Sequence, residues 1–165
     1  MVLFLMEKFL QNLQEAEKII RLADHMIYVT FPLLKEKKIL FKVISEIKIA
    51  ISNCISSILL YEHASKRVSL YKNPEDNLQT FREKCAQRYG ITKEEIFFIK
   101  EIFDISEKHR ESSFEFVRDG NIVILSEDLK PKTISLERIK QFLLMSKTIL
   151  RKSREGVTKN FSRKI

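Results

Sequence analysis

From Val2 to Ile27 apolar residues recur alternately four and three positions apart, at Val2, Met6, Phe9, Leu13, Ala16, Ile20, Ala23 and Ile27. Glu7, Lys8, Gln11, Glu15 and Lys18 fall between them, so the pattern predicts one long amphipathic helix. Pro32 disfavours helix at the residue before it, and an interruption is expected there, beside Lys35, Lys37 and Lys38. A second helix is predicted from Ile39 to Ala64. Its wide stripe of Leu40, Val43, Ile44, Ile47, Ala50, Ile51, Cys54, Ile55, Ile58 and Leu59 suits the centre of a bundle, and small Ser45, Ser52 and Ser56 allow close neighbours.

A basic loop, 65–72, leads to Asn73, Pro74, Glu75 and Asp76, which read as a capping side chain, a first-turn proline and acids facing the positive helix end. The third helix carries Leu78, Phe81, Cys85 and Tyr89 inward and stops at Gly90. Thr92 with Glu95 forms a capping box, and Ile91 with Ile96 a hydrophobic staple, for a fourth helix with Ile96, Ile99 and Phe103 inside. After Glu111 the period shortens to two. Asp119 and Gly120 suit a two-residue turn, so 114–125 is predicted as a β-hairpin, with Phe114, Phe116, Val123 and Leu125 sharing the face that docks. Ser135 caps a last helix, with Leu136, Ile139, Leu143, Ser146 and Leu150 inward.

The expected fold is therefore mainly α: one antiparallel bundle of about five helices over residues 1–150, with a β-hairpin before the last helix and a basic C-terminal extension over 151–165. Only 3 Gly and 3 Pro in 165 residues leave too few turning points for a many-stranded fold. Cys54 and Cys85 fall in helical apolar patterns and are too few for a disulfide framework, so both are expected as buried thiols in a reducing, cytoplasmic setting. The apolar opening reaches Glu7 and Lys8 at once and lacks the marks of a secretion signal. The uncharged run Ile49 to Tyr61 falls short of the roughly 20 apolar residues of a membrane span, so no transmembrane segment is expected.

Charge adds a candidate function. Seven cations, Lys147, Arg151, Lys152, Arg154, Lys159, Arg163 and Lys164, stand against the single acid Glu155, so this stretch holds +6 of the chain's formal +8. Clustered Lys and Arg neutralise phosphates, and this segment is the expected contact for RNA or another anionic partner, with Lys66, Arg67 and Lys72 as a supporting rim. Val157, Phe161 and Ile165, broken at Gly156, make a lipid surface the weaker alternative. Two polar clusters stand out: Arg21, Asp24 and His25 within one helical turn, and His109 with Arg110 beside the hairpin. Ordinary helix-face and helix-end electrostatics account for both more simply. Leu22, Leu60 and Ser106 stand three before the histidines, where a di-metal bundle would place Glu. With no CxxC and no glycine-rich phosphate loop, neither a metal nor a cofactor is expected.

Two long helices, the NPED and ITKEE caps, and the run EKHRESSFEFVRDGNIVILSEDLKPKTISLERIKQF make the chain resemble uncharacterised archaeal HEPN-like helical proteins over residues 10–155. HEPN domains are small helical bundles, often dimeric, and many are ribonucleases or partners of nucleotidyltransferases in toxin and antitoxin systems. Their nuclease members carry an Arg, four to six residues, then a His. The corresponding positions are Ile20, Ile19 and Lys18 before His25, Ile58, Ser57 and Ser56 before His63, and Asp104, Phe103 and Ile102 before His109. None is Arg, so the resemblance implies a non-catalytic bundle that binds RNA, a nucleotide or a protein. The main alternative is a protein-interaction or dimerisation module using Leu5, Phe31, Phe98 and the hairpin face Val117, Ile122 and Ile124. A cryptic ribonuclease on the two polar clusters is the least favoured reading.

Overall fold

Asn73, Thr92 and Ser135 each cap a helix, as their positions predict. Asn73 accepts from the Glu75 amide, Thr92 and Glu95 complete a reciprocal box, and Ser135 accepts from the Arg138 amide at 3.0 Å. The computed structural model describes residues 2–112, 114–125 and 130–162. In chain order they form α1 (Val2–His25), a π-helical turn (Met26–Thr30), α2 (Phe31–Leu34) and α3 (Lys37–Ala64). Then come α4 (Pro74–Thr80), a second π turn (Phe81–Cys85), a 3-10 turn (Ala86–Tyr89), α5 (Lys93–Glu111), β1 (Phe114–Arg118), β2 (Asn121–Leu125), β3 (Pro131–Ile134) and α6 (Leu136–Ser162).

The four long helices form an up-and-down bundle. Ser57 of α3 donates to the Phe9 carbonyl, while Ile27 and Leu40 lie together at the other end, so α1 and α3 are antiparallel. Phe41 stacks on His109, and Lys48 lies over Phe103, so α5 also opposes α3. Lys147 meets Asp24 and Arg154 meets Glu17, which runs α6 against α1 and parallel to α3. The predicted stripes supply the core: Phe9, Leu13, Ile20 and Ile27 from α1, Ile44, Ile47, Ile51 and Ile58 from α3, and Ile139, Leu143 and Leu150 from α6. α3 is apolar and long enough to cross a membrane by composition, and most of that apolar window is buried by its neighbours.

The structure corrects four expectations. The first helix does not stop at Pro32. It widens by one residue, the Phe31 amide bonding back to the Met26 carbonyl, and continues to Leu34 before Lys35 ends it with φ 52°. A wide turn just before proline relieves the clash its ring makes with the carbonyl four residues back. The hairpin is extended by β3 into a three-stranded antiparallel sheet, with Pro131 starting an edge strand where no ladder N–H is needed. The pairings Phe114 with Leu125 and Phe116 with Val123 hold, but the opposite face docks. Ile122, Ile124 and Ile134 enter the core, because β3 adds a third isoleucine to that side, and Phe114 is left 60% exposed. Finally, α6 runs through residue 150 to Ser162, with Ser153 and Val157 buried, and it passes through Gly156. A Cβ there would overlap the buried Tyr89 ring, so glycine is the close-packing residue rather than a break.

Both cysteines are buried and free. Burial pushes the Cys54 thiol up to about 12 and the Cys85 thiol up to about 11, with the Glu62 charge adding at Cys85.

Candidate nucleic-acid interface

The α6 cations do not stand free of the body. Lys147 pairs with Asp24, Lys152 holds Glu95 at 2.8 Å and the Gly90 carbonyl at 2.7 Å, and Arg154 holds Glu17 at 2.9 Å. Arg151 pairs with its own helix neighbour Glu155. Arg154 and Arg21 together hold the Glu17 carboxyl below the usual carboxylate range. Three of the seven basic residues therefore tie α6 to α1 and α5. Lys159 is exposed with no ion pair among the described residues, and Arg163 and Lys164 lie outside them.

The two polar clusters separate into unrelated contacts. Arg21 pairs with Glu17, Asp24 with Lys147, and the exposed His25 has Thr30 Oγ1 at 3.4 Å from Nδ1. His109 donates to Glu115, which also accepts from Ser112 at 3.0 Å, while Arg110 turns outward to Glu107. His63 donates to the Val68 carbonyl at 3.1 Å. Among the described residues no group of three His, Cys, Asp or Glu side chains is placed to hold a metal ion.

The supporting rim proves to be the better-built feature. Where α3 ends, Lys66 adopts φ 60° and turns the chain, with amides 66 and 67 bonding back to the His63 and Glu62 carbonyls. Glu62 is 0% exposed. Arg67 grips its carboxylate with two bonds of 2.6 and 2.7 Å, Tyr89 donates its hydroxyl at 2.9 Å, and Arg88 pairs with the same oxygen that Arg67 Nε holds. Burial opposes ionisation of Glu62, but the hydrogen bonds from Arg67 and Tyr89 overcome it and hold the carboxyl below its ordinary value. Burial and the Glu62 charge push the Tyr89 hydroxyl upward, and the hydrogen bond to Glu62 raises the Arg67 guanidinium against the opposing effect of burial.

Further along the loop, Asn77 accepts from the Tyr71 amide and donates to the Tyr71 carbonyl, both at 2.8 Å. Tyr71 is thus pinned by its backbone while 49% of the residue stays in solvent. It borders a hollow of about 360 Å³ whose polar lining includes Lys8, Asn12, Ser56 and Asn77. From Ala64 to Lys72 the chain carries Lys66, Arg67 and Lys72 and no acid. Lys8, Lys66 and Lys72 are exposed and form no ion pair among the described residues. Because α6 runs parallel to α3, and its Gly156 lies against Tyr89, Lys159 arrives at this same end of the bundle.

Lys66, Arg67 and Lys72 are legible in the sequence as a rim and Tyr89 as an inward residue, but the roles of Glu62, Arg88 and Tyr71 are not. One signal was present. Glu62 continues the spacing of Ile55, Ile58 and Leu59, and an acid in an apolar stripe must find cations. No protein-family model matches the sequence, and no curated protein shows significant similarity to it.

Proposed function

We propose that the protein is a non-catalytic module that binds RNA or another nucleic acid, with Lys66, Lys72 and Lys159 on phosphates and Tyr71 against a base. The reading is carried by an exposed, backbone-pinned Tyr71 on an acid-free loop whose Lys66 and Lys72 form no ion pair among the described residues. Such surfaces suit nucleic acids because each cation displaces condensed counterions and every base offers a face for stacking. The Glu62 clamp favours binding further, since a loop already held in shape loses little freedom on contact. The proposal agrees with what the HEPN-like resemblance implies, and it moves the main contact from the α6 cations to the loop.

The test is oligonucleotide binding by fluorescence anisotropy over a salt series. Replacing Lys66, Lys72 and Lys159 together with Gln should make the log–log salt slope shallower by about 2, at roughly 0.7–0.9 per phosphate contact. Replacing Lys147, Lys152 and Arg154 with Gln should leave the slope unchanged, because their charges are already matched. If only the second set flattens the slope, the outer face of α6 is the contact. A wild-type protein that binds no oligonucleotide removes the reading altogether.

A protein-interaction role is the second reading. Phe31 and Phe98 pack against the core, Ile122 and Ile124 are inside it, and the Leu5 side chain lies outside the described residues, so the apolar set expected from sequence is largely consumed. What favours the reading instead is Val29, Leu33 and Leu34, exposed in succession on the π turn and α2. Self-association through them would make the sedimentation coefficient rise with concentration, and Leu33→Lys would abolish that rise. A constant monomer value excludes it.

A further inference from the structure

At the other end of α3, a 28-residue helix about 42 Å long, a second hollow has a different character. Its volume is about 380 Å³, within the range of small-ligand sites. Ile27 of the π turn, Phe31 of α2, Leu40 of α3, Leu136 of α6 and Val117 of β1 make its apolar lining, with Gly120 of the hairpin turn at one side. Tyr28 and Pro32 also line it, and Lys35, Lys37 and Lys140 bring positive charge to it. Each lysine is placed by a separate constraint. Lys35 caps α2 in the left-handed region, Lys37 donates to the Glu115 carbonyl at 2.9 Å, and the Lys140 ammonium sits 5.5 Å from the Tyr28 ring centre.

Two of the three charges there are unmatched among the described residues. Lys35 and Lys37 form no ion pair among the described residues, and Lys140 reaches only Glu137, at 3.6 Å, whose side chain is 80% exposed. Three lysines therefore border an apolar lining. Water is poorly accommodated by such a lining, while the cations attract a negative group.

We propose that this hollow binds a small amphipathic anion, a medium-length acyl chain bearing a carboxylate, with the chain on Ile27, Phe31, Leu40 and Leu136 and the head among Lys35, Lys37 and Lys140. The two features select this class together. A nucleic-acid strand leaves base edges unsatisfied on an apolar lining, and that is costly. A partner helix, about 10 Å across, is too wide for a hollow of this volume. A neutral chain leaves the lysines without a counter-charge, and a short anion such as acetate leaves the lining bare. The ligand site is independent of the nucleic-acid reading, because the two lie at opposite ends of α3.

Isothermal titration of the full chain with decanoate, below its micelle concentration, should give saturable binding of one molecule per chain. Decanol and acetate should each bind about tenfold more weakly or less, the first lacking the charge and the second the chain. Lys35→Gln combined with Lys140→Gln should weaken decanoate about tenfold and leave decanol unchanged. Val117→Trp should fill the hollow and abolish binding; Val117 is half in solvent, so the fold tolerates the change, which circular dichroism checks. An oligonucleotide in excess should not displace decanoate. Equal affinity for decanoate and decanol, no effect of the lysine changes, displacement by the oligonucleotide, or no saturable binding each overturns the proposal. Failure of oligonucleotide binding alone leaves it intact.

Discussion

Replacing Glu62 with Gln lowers the unfolding free energy by about 2–3 kcal/mol, measured by urea denaturation at about pH 7. The substitution keeps the volume and removes the charge, so Arg67 and Arg88 lose the carboxylate they share and Tyr89 keeps only a neutral acceptor. The figure lies at or below the lower end for broken buried pairs because both arginines are partly exposed and regain water. The same clamp gives a pH dependence. Folding lowers the Glu62 pKa, so the contribution is complete above the unfolded-state value and is lost as pH falls through the folded-state value. As pH falls from the unfolded-state value of about 4.3 down through the lower folded-state value, wild-type stability should therefore drop more than that of the Gln variant, and the two should converge. Parallel curves over that window would mean that Glu62 carries no proton-linked stability.

Gly156→Ala should destabilise by about 2 kcal/mol, although alanine is favoured over glycine inside a helix by about 1 kcal/mol. The reason lies across the interface. The added methyl overlaps the Tyr89 ring, and that ring is buried and tethered through its hydroxyl to Glu62. It cannot swing aside without breaking the tether, so the cost of overpacking exceeds the gain in propensity. Thermal unfolding followed by circular dichroism reads the effect. A raised midpoint would show that Tyr89 relaxes freely. In the Glu62→Gln background the penalty should shrink, since a loosened ring yields more easily.

What was legible in the sequence was local. Caps at Asn73, Thr92 and Ser135, the Asp119–Gly120 turn and the helical stripes all depend on residues within one or two turns of each other. The docking face of the hairpin was not local. Phe114 and Phe116 make one side look as greasy as the other, and the choice was decided by Ile134 on a strand that pairs only after the chain returns. The fate of the basic stretch was equally hidden, because its partners Glu17, Asp24 and Glu95 lie far back in the chain and a charge count along residues 147–164 cannot see them. The cations best suited to a ligand, Lys66 and Lys72, were visible but ranked behind a denser cluster. The pinning of Tyr71 by Asn77 requires the loop to close six residues on, which no periodic pattern announces.

α6 is the element through which the body is stitched together: its side chains reach Asp24 and Glu17 on α1, Glu101 and Glu95 on α5, and its Gly156 receives Tyr89. It is also made after all of them. During synthesis the ribosome therefore holds a nascent chain whose earlier helices lack their fourth wall, with greasy surface awaiting a lid still in the exit tunnel. Closure waits on this one helix, and the interval before it emerges is when a chaperone has most to do.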